Sequence, residues 1–246
     1  MTPFPTQSNV IAALRSFLLD VLPAGTVVRT AQQNRVSEPQ QGDFVIMTPL
    51  RMTRLRTNVS SDADVRFQGS VSGNVLTVSS VTFGKIIPGA TLFGSGVADG
   101  TQIVAQLSGP TGGAGTYSVG GNPQTVGAEV LATGARLIEM GTEVAVQLDF
   151  HTADALGAGD MAATVSTLFR DSFAVDQFAN QSPNYGVVPL HADDPRQAPF
   201  VNAEQQYETR WTVDALLQAN IVVSIPQQYA DSETLTVISV EAAYPP

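Results

Sequence analysis

Between Arg66 and Thr133, glycine and small polar residues cut the chain into short β-type runs at close, even spacing, and the periodicity of a helix is missing throughout. The runs are Val75-Leu76-Thr77-Val78, Ala90-Thr91-Leu92-Phe93, Gln102-Ile103-Val104-Ala105 and Thr116-Tyr117-Ser118-Val119. Between them stand Ser72-Gly73-Asn74, Pro88-Gly89, Gly94-Ser95-Gly96, Asp99-Gly100 and the stretch 109–115, residues that supply a positive or a fixed φ where a chain reverses. Short strands joined by glycine turns build barrels and sandwiches. The block is therefore expected to be a small all-β barrel or sandwich, a glycine-rich module at 66–133 looped out of a larger domain made from 1–65 and 134–246.

The flanks follow other rules. After Ser8, a plausible N-cap, Val10, Ile11, Leu14, Phe17, Leu18, Val21 and Leu22 recur at helical spacing until Pro23-Ala24-Gly25 ends the run. Thr26 to Thr30 and Asp43 to Leu50 read as strands, with Arg51 to Asn58 continuing extended. Leu137 to Met140 and Val144 to Phe150 resume strand character, and alternation of Val144, Val146, Leu148 and Phe150 predicts one apolar face and one wet face. Met161, Val165, Leu168 and Phe169 give a second helix over 159–169, with Asp160 suited to its N-terminus. Pro183, Pro189, Pro195 and Pro199 punctuate a segment that reads as an ordered but irregular loop. From Gln206, alternation through Trp211, Val213, Ala215 and Leu217 predicts a long strand, and Thr234 to Val240 a last one. The fold class expected is α+β: a mainly antiparallel sheet with helices on one face, plus the inserted β-module.

Composition narrows function. The chain has 246 residues and a formal net charge of −10, which argues against a basic grip on nucleic acid, and it has no cysteine, which excludes a disulfide framework and a thiolate metal site. Met1-Thr2-Pro3-Phe4-Pro5 carries no positive charge and Arg15 and Asp20 interrupt the first apolar stretch, so neither a signal peptide nor a membrane span is expected.

Catalytic material is sparse. His151 follows a strand near Asp149 and Asp154, which superficially suits a general base or a metal ligand, but a solvated strand-end histidine is the simpler reading. His191 sits in the proline-punctuated loop beside Asp193 and Asp194 and reads as a loop residue bonding local backbone. Gly69-Ser70-Val71-Ser72-Gly73 puts valine where a nucleophile elbow needs serine, and 109–115 lacks the Lys-Ser/Thr pair of a phosphate loop. Gly94 to Gly100 precedes no helix, as a dinucleotide fingerprint would require, and Asp62-Ala63-Asp64 lacks the later ligands of a calcium loop. No enzymatic activity, cofactor or metal is expected. The candidate functional residues are instead contact residues: the basic cluster Arg51, Arg54 and Arg56, the single tryptophan Trp211, and Asp193, Asp194 and Arg196 in the long loop. For the cluster, a solvated strand face balancing local carboxylates is the competing reading.

Two stretches carry a family resemblance. Tyr207-Glu208-Thr209-Arg210-Trp211-Thr212-Val213-Asp214, Ile225-Pro226-Gln227-Gln228-Tyr229-Ala230-Asp231 and the closing Glu241-Ala242-Ala243-Tyr244-Pro245-Pro246 resemble the neck terminator family of tailed bacteriophages, and Gly42 to Leu50 with the N-terminal helix is similar to that family's opening. The module resembles glycine-rich β-modules of phage virion proteins through Val71 to Val78, Gly94 to Thr101 and Gly112 to Tyr117. The resemblance implies a structural virion protein, assembled in the host cytoplasm. It would form a homo-oligomeric ring, hexameric by the family's habit, at the neck between capsid and tail. Its partners would be further copies of itself, the head-side connector or adaptor, and the tail tube, with the sheath as another candidate neighbour. DNA would pass through the lumen without specific binding. The competing reading is a virion surface decoration or a glycan- or receptor-binding protein that uses the β-module.

Overall fold

The computed structural model describes residues 3–31, 42–152, 154, 156–198, 200–201 and 207–227. The strand expected at Thr234 to Val240 lies outside the described residues. The chain divides into two compact units, one of 1–60 and 138–223, the other of 61–137 with, among the described residues, 224–227. The unit limits fall inside the long strands at 59–73, 124–151 and 210–226.

The first unit opens with α1 (Gln7–Val21). Thr6, not Ser8, is its N-cap: the Thr6 side chain accepts from the Asn9 amide at 3.2 Å, while Asn9 Oδ1 accepts from the Thr6 amide at 2.8 Å. The reciprocal pair satisfies two donors that the first turn leaves open, which an N-cap at Ser8 would not have done. Val10, Ile11, Leu14, Phe17 and Leu18 form the buried stripe. Each large apolar side chain buried this fully contributes about 1.5–3 kcal/mol.

The stripe packs on a sheet built from β1 (Val27–Thr30), β2 (Phe44–Arg54), the C-terminal part of β8 (Gln124–His151), β9 (Val187–Ala192), β10 (Arg196–Gln197) and β13 (Arg210–Pro226). β1 runs parallel to β2, and β2 antiparallel to β8 with Phe44 opposite His151 and Arg54 opposite Thr142. β13 pairs with β8 and, antiparallel, with both β9 and β10. Two helices, α2 (Gly157–Phe169) and α3 (Ser172–Ala179), share the core with α1. Phe17 lies between Phe169 at 5.6 Å, edge to face, and Phe178 at 5.3 Å, stacked. A further short pair, β11 (Phe200–Val201) with β12 (Tyr207–Glu208), stands apart from this sheet.

Two expectations need correcting here. The segment read as irregular loop contains β9 and β10, and α3 precedes it. Pro189 is tolerated because it sits opposite Leu217, where the β9–β13 register slips. The second face of β8 is not simply wet, since Asp149 and His151 are both 5% exposed.

The second unit holds β3 (Val59–Gly73) from residue 61 on, β4 (Val75–Phe83), β5 (Thr91–Phe93), β6 (Ile103–Gln106), β7 (Gly115–Val119) and the N-terminal part of β8. Phe67, Leu76, Leu92, Ile103, Tyr117 and Leu131 are the heart of its own core. The β3–β4 hairpin turns at Gly73, where φ is +62°, and Asn74 beside it donates through Nδ2 to the carbonyls of Val119 and Gly121 at 3.2 and 3.0 Å. The glycine-rich stretch 109–115 is held from outside. Gln106 Nε2 donates to the carbonyls of Ser108, Gly109 and Pro110 at 3.1, 3.2 and 2.8 Å, and its Oε1 accepts from the Gly112 amide at 3.0 Å. The Tyr117 hydroxyl, whose pKa burial raises, donates to the Gly113 carbonyl at 2.6 Å.

Candidate functional site

The most distinctive surface of the first unit is the end of β2 and the chain after it. Every residue from 50 to 60 is exposed, although most of this stretch is in strand conformation. Leu50, Met52, Leu55 and Val59 are 46–49% exposed, so four large apolar side chains are interleaved with Arg51, Arg54 and Arg56. Scattered exposed leucines are ordinary, whereas here four large apolar side chains share one short stretch. The guanidinium of Arg51 lies 3.6 Å from Glu143 Oε1, Arg56 pairs with Glu139, and Arg54 Nε donates to the Arg56 carbonyl at 2.8 Å. Exposed pairs of this kind contribute about 0–1 kcal/mol each. They fix where the cations stand more than they stabilise the fold.

The second feature is a polar ladder on the sheet face opposite the helices. Side chains alternate along β13, so Val213, Ala215, Leu217 and Ala219 enter the core while Arg210, Thr212 and Asp214 face the other way. Arg210 Nε and Nη2 both donate to Asp149 Oδ1, at 3.1 and 2.7 Å. Gln147 Nε2 donates to Asp214 Oδ1 at 3.2 Å, and Arg196 Nη2 reaches Asp214 Oδ2 at 3.1 Å. Next to them the His151 ring stacks on Phe44, centroids 4.4 Å apart and planes 7° from parallel. His151 is thus a buried stacking residue and not a solvated strand end.

The other expected contact residues are spread over the unit. Asp194 accepts from Arg170 Nη2 at 2.8 Å, and that hydrogen bond together with the cation's charge lowers its pKa. Arg170 Nε also donates to the Ala192 carbonyl at 2.6 Å, which ties the end of α2 to β9. Asp193 lies 3.7 Å from His191, itself on β9 and half exposed. Trp211 is half-buried against the core, its indole lying over Gly159 of α2, where a Cβ would stand 3.1 Å from Cε2. Arg196, Asp194, Arg51 and Arg56 therefore each already hold a carboxylate or a cation of their own chain. The sequence reading missed the pairings of Arg51, Arg56, Arg196 and Arg210 with Glu143, Glu139, Asp214 and Asp149. Only the cross-strand register could have found them, because each partner is distant in sequence.

Among the described residues, no three His, Asp or Glu side chains converge as a metal-ligand group. No helix among them is long and apolar enough to cross a membrane. No curated protein matches the chain. The family described as phage neck terminator protein matches residues 97–243, which takes in the second half of the module, α2, α3 and the long C-terminal strand. That match spans well over half of the sequence and includes the polar ladder and the Trp211 contact, and on it the chain belongs to the phage neck terminator protein family.

Proposed function

We propose that this structural protein of the phage neck acts as a closed ring of identical copies, hexameric, joining the head-side connector to the tail tube around a channel for DNA. A cyclic ring repeats one heterologous contact until it closes, so each copy must offer a surface that a different surface of its neighbour covers. The observation that carries the reading is the arm at 50–60, with four large apolar side chains left half exposed beside three arginines. Such a mix of apolar area and arginine is what interface cores use. The net charge of −10 favours a lumen to which DNA does not adhere. Purified protein examined by mass photometry and negative-stain electron microscopy should give rings, and the paired change Leu50→Asp with Met52→Asp should weaken their assembly at least tenfold without lowering the melting temperature of the chain. A protein that stays monomeric at high concentration and is absent from the head–tail junction of virions rules the proposal out.

We also read 66–133 as an inserted, closed β-barrel. The support is a circuit of pairings: β8 with β3, β3 with β4, β4 with β7, β7 with β6, and β5 with β8. The remaining gap is spanned by the Thr91–Gln102 bridge and by backbone bonds from Leu92 to Thr101 and from Ile103 to Ala90, at 2.8 and 2.9 Å. Amide exchange tests this, since closure leaves no fast-exchanging edge on β5 or β6.

A further inference from the structure

A strand edge with free backbone groups is a template for another strand, and proteins tend to guard such edges. The first unit guards two of its edges with an arginine from the helix layer. The amides of Val27 and Ala31 donate to Asp43 and Met47, which turns the Val28 carbonyl away from β2, and Arg15 Nε of α1 donates to that carbonyl at 3.1 Å. On β9 the Asp193 amide donates to the Asp214 carbonyl, which turns the Ala192 carbonyl outward, and Arg170 Nε at the end of α2 donates to it at 2.6 Å. β2 has no such guard beyond Met47, where β1 stops. The Leu55 amide donates to the Gly141 carbonyl, and in the same register Arg51 and Thr53 bond to β8, so Met52 and Arg54 turn their amides and carbonyls away from it. Among the described residues nothing meets those four groups.

A second open element lies at the far end of the same sheet. The register of β10 on β13 runs on into β11 and β12: Arg196 faces Thr212, Gln197 faces Trp211, the Ala198 amide donates to the Arg210 carbonyl at 2.8 Å, Phe200 faces Glu208 and Val201 faces Tyr207. The four strands are one hairpin, and its tip passes the end of β8 at His151. A ribbon with two paired residues on each strand is marginal by itself and gains from a third strand. Its sequence, 200–208, carries Glu204 and Glu208 and no lysine or arginine, opposite in sign to Arg51, Arg54 and Arg56. The tip does not serve its own edge: Phe44 faces His151 and Arg54 faces Thr142, which puts the two elements at opposite ends of the sheet, about 30 Å apart at the usual rise of a strand. Nor does the open edge suit the same edge of another copy, because arginines would oppose arginines. We propose that the β11–β12 tip of one copy adds by main-chain pairing to the 50–54 edge of β2 in the next. Two different surfaces then meet head to tail, as a ring requires. The inference rests on the ring reading and names the two surfaces that join.

Disulfide trapping on the full chain tests the contact, since the sequence has no cysteine to interfere. Leu50→Cys with Tyr207→Cys in one chain, mildly oxidised, should link copies into a ladder of multiples on a denaturing gel. A disulfide needs Cα atoms within about 7 Å, so these two positions do not close within one copy. Leu50→Cys with Val188→Cys, at an exposed position of the guarded β9, should give at least tenfold less ladder. Met52→Pro added to the first pair removes an amide that faces away from β8, so it should cut the ladder at least tenfold while leaving the circular dichroism spectrum unchanged. Negative-stain images of the native chain separate the two readings. Rings without a ladder overturn this contact and leave the ring standing, whereas monomers without a ladder overturn both. A ladder that Met52→Pro leaves unchanged overturns the main-chain pairing.

Discussion

Arg210 holds the buried carboxylate of Asp149 through two nitrogens on one oxygen, Nε at 3.1 Å and Nη2 at 2.7 Å, across 61 residues of sequence. A carboxylate that is 5% exposed keeps its charge inside a protein only if a cation stays beside it. Removing Arg210 therefore leaves a charge with neither water nor partner. Arg210→Met should cost about 3 kcal/mol, the lower end for a buried pair because the arginine side chain keeps 29% of its exposure. Urea denaturation measures this, and adding Asp149→Leu to Arg210→Met should recover most of the loss.

The pair of Asp194 with Arg170 gives a pH dependence whose sign follows from its direction. The hydrogen bond and charge of Arg170 hold the Asp194 carboxyl below its ordinary value of 3.8 in the folded chain. The folded state then binds fewer protons than the unfolded state near that pH. The stabilisation is complete above the unfolded pKa and fades as pH falls through the folded one. Carbon-13 titration should place Asp194 lower in the native chain than in Arg170→Gln, and Asp194→Asn should flatten the acid side of the stability profile. Identical titration curves in the native and Arg170→Gln proteins would contradict the assignment.

Two glycines of the second unit separate backbone strain from collision. Gly73 has φ of +62° and open space where a Cβ would go, so Gly73→Ala should cost about 1–2 kcal/mol, the penalty of the left-handed conformation alone. Gly84 has φ of +79°, and a Cβ there would meet the carbonyl oxygen of Asp64. The collision adds to the strain, so Gly84→Ala should cost about 2–4 kcal/mol. Equal melting temperatures for the two variants would show that the backbone at Gly84 yields.

The arm offers a place to close the chain without the second unit. Arg54 pairs with Thr142, the Leu55 amide donates to the Gly141 carbonyl at 2.9 Å, and Arg56 bonds Glu139. The strands already run antiparallel and adjacent there, so joining Arg56 to Met140, which faces it in the same register, through an Asn-Gly turn makes an ordinary hairpin. The shortened chain keeps the whole aromatic cluster of Phe17, Phe169 and Phe178. It should remain soluble and retain the helical signal in circular dichroism, and an aggregated or unfolded product would show that the first unit needs the second.

What the sequence revealed depended on whether the signal was local. The stripe of α1 and the alternation of Val213, Ala215 and Leu217 were legible because one face of each is buried, which imprints a period on the residues. β3 was not, since Ser60, Ser61 and Asp62 are exposed on both faces and carry no alternation. α3 was missed because only Ala174 and Phe178 of its eight residues are buried, while Phe173 and Val175 point outward. Proline in β9 reads as a breaker until its place beside a register slip is known. The ion pairs of the ladder join residues far apart in sequence, so Arg210 looked like any surface arginine and His151 like a wet strand end.

Gln106 has a consequence of the same kind. One amide head occupies three carbonyls and an amide of the segment that follows it. A protease must draw a substrate out straight before cutting it, and this stretch cannot straighten while that head is in place. Toughness in the glycine-rich segment is therefore borrowed from a neighbour upstream, and a single trimmed side chain there would leave the backbone open to cleavage although no glycine had changed.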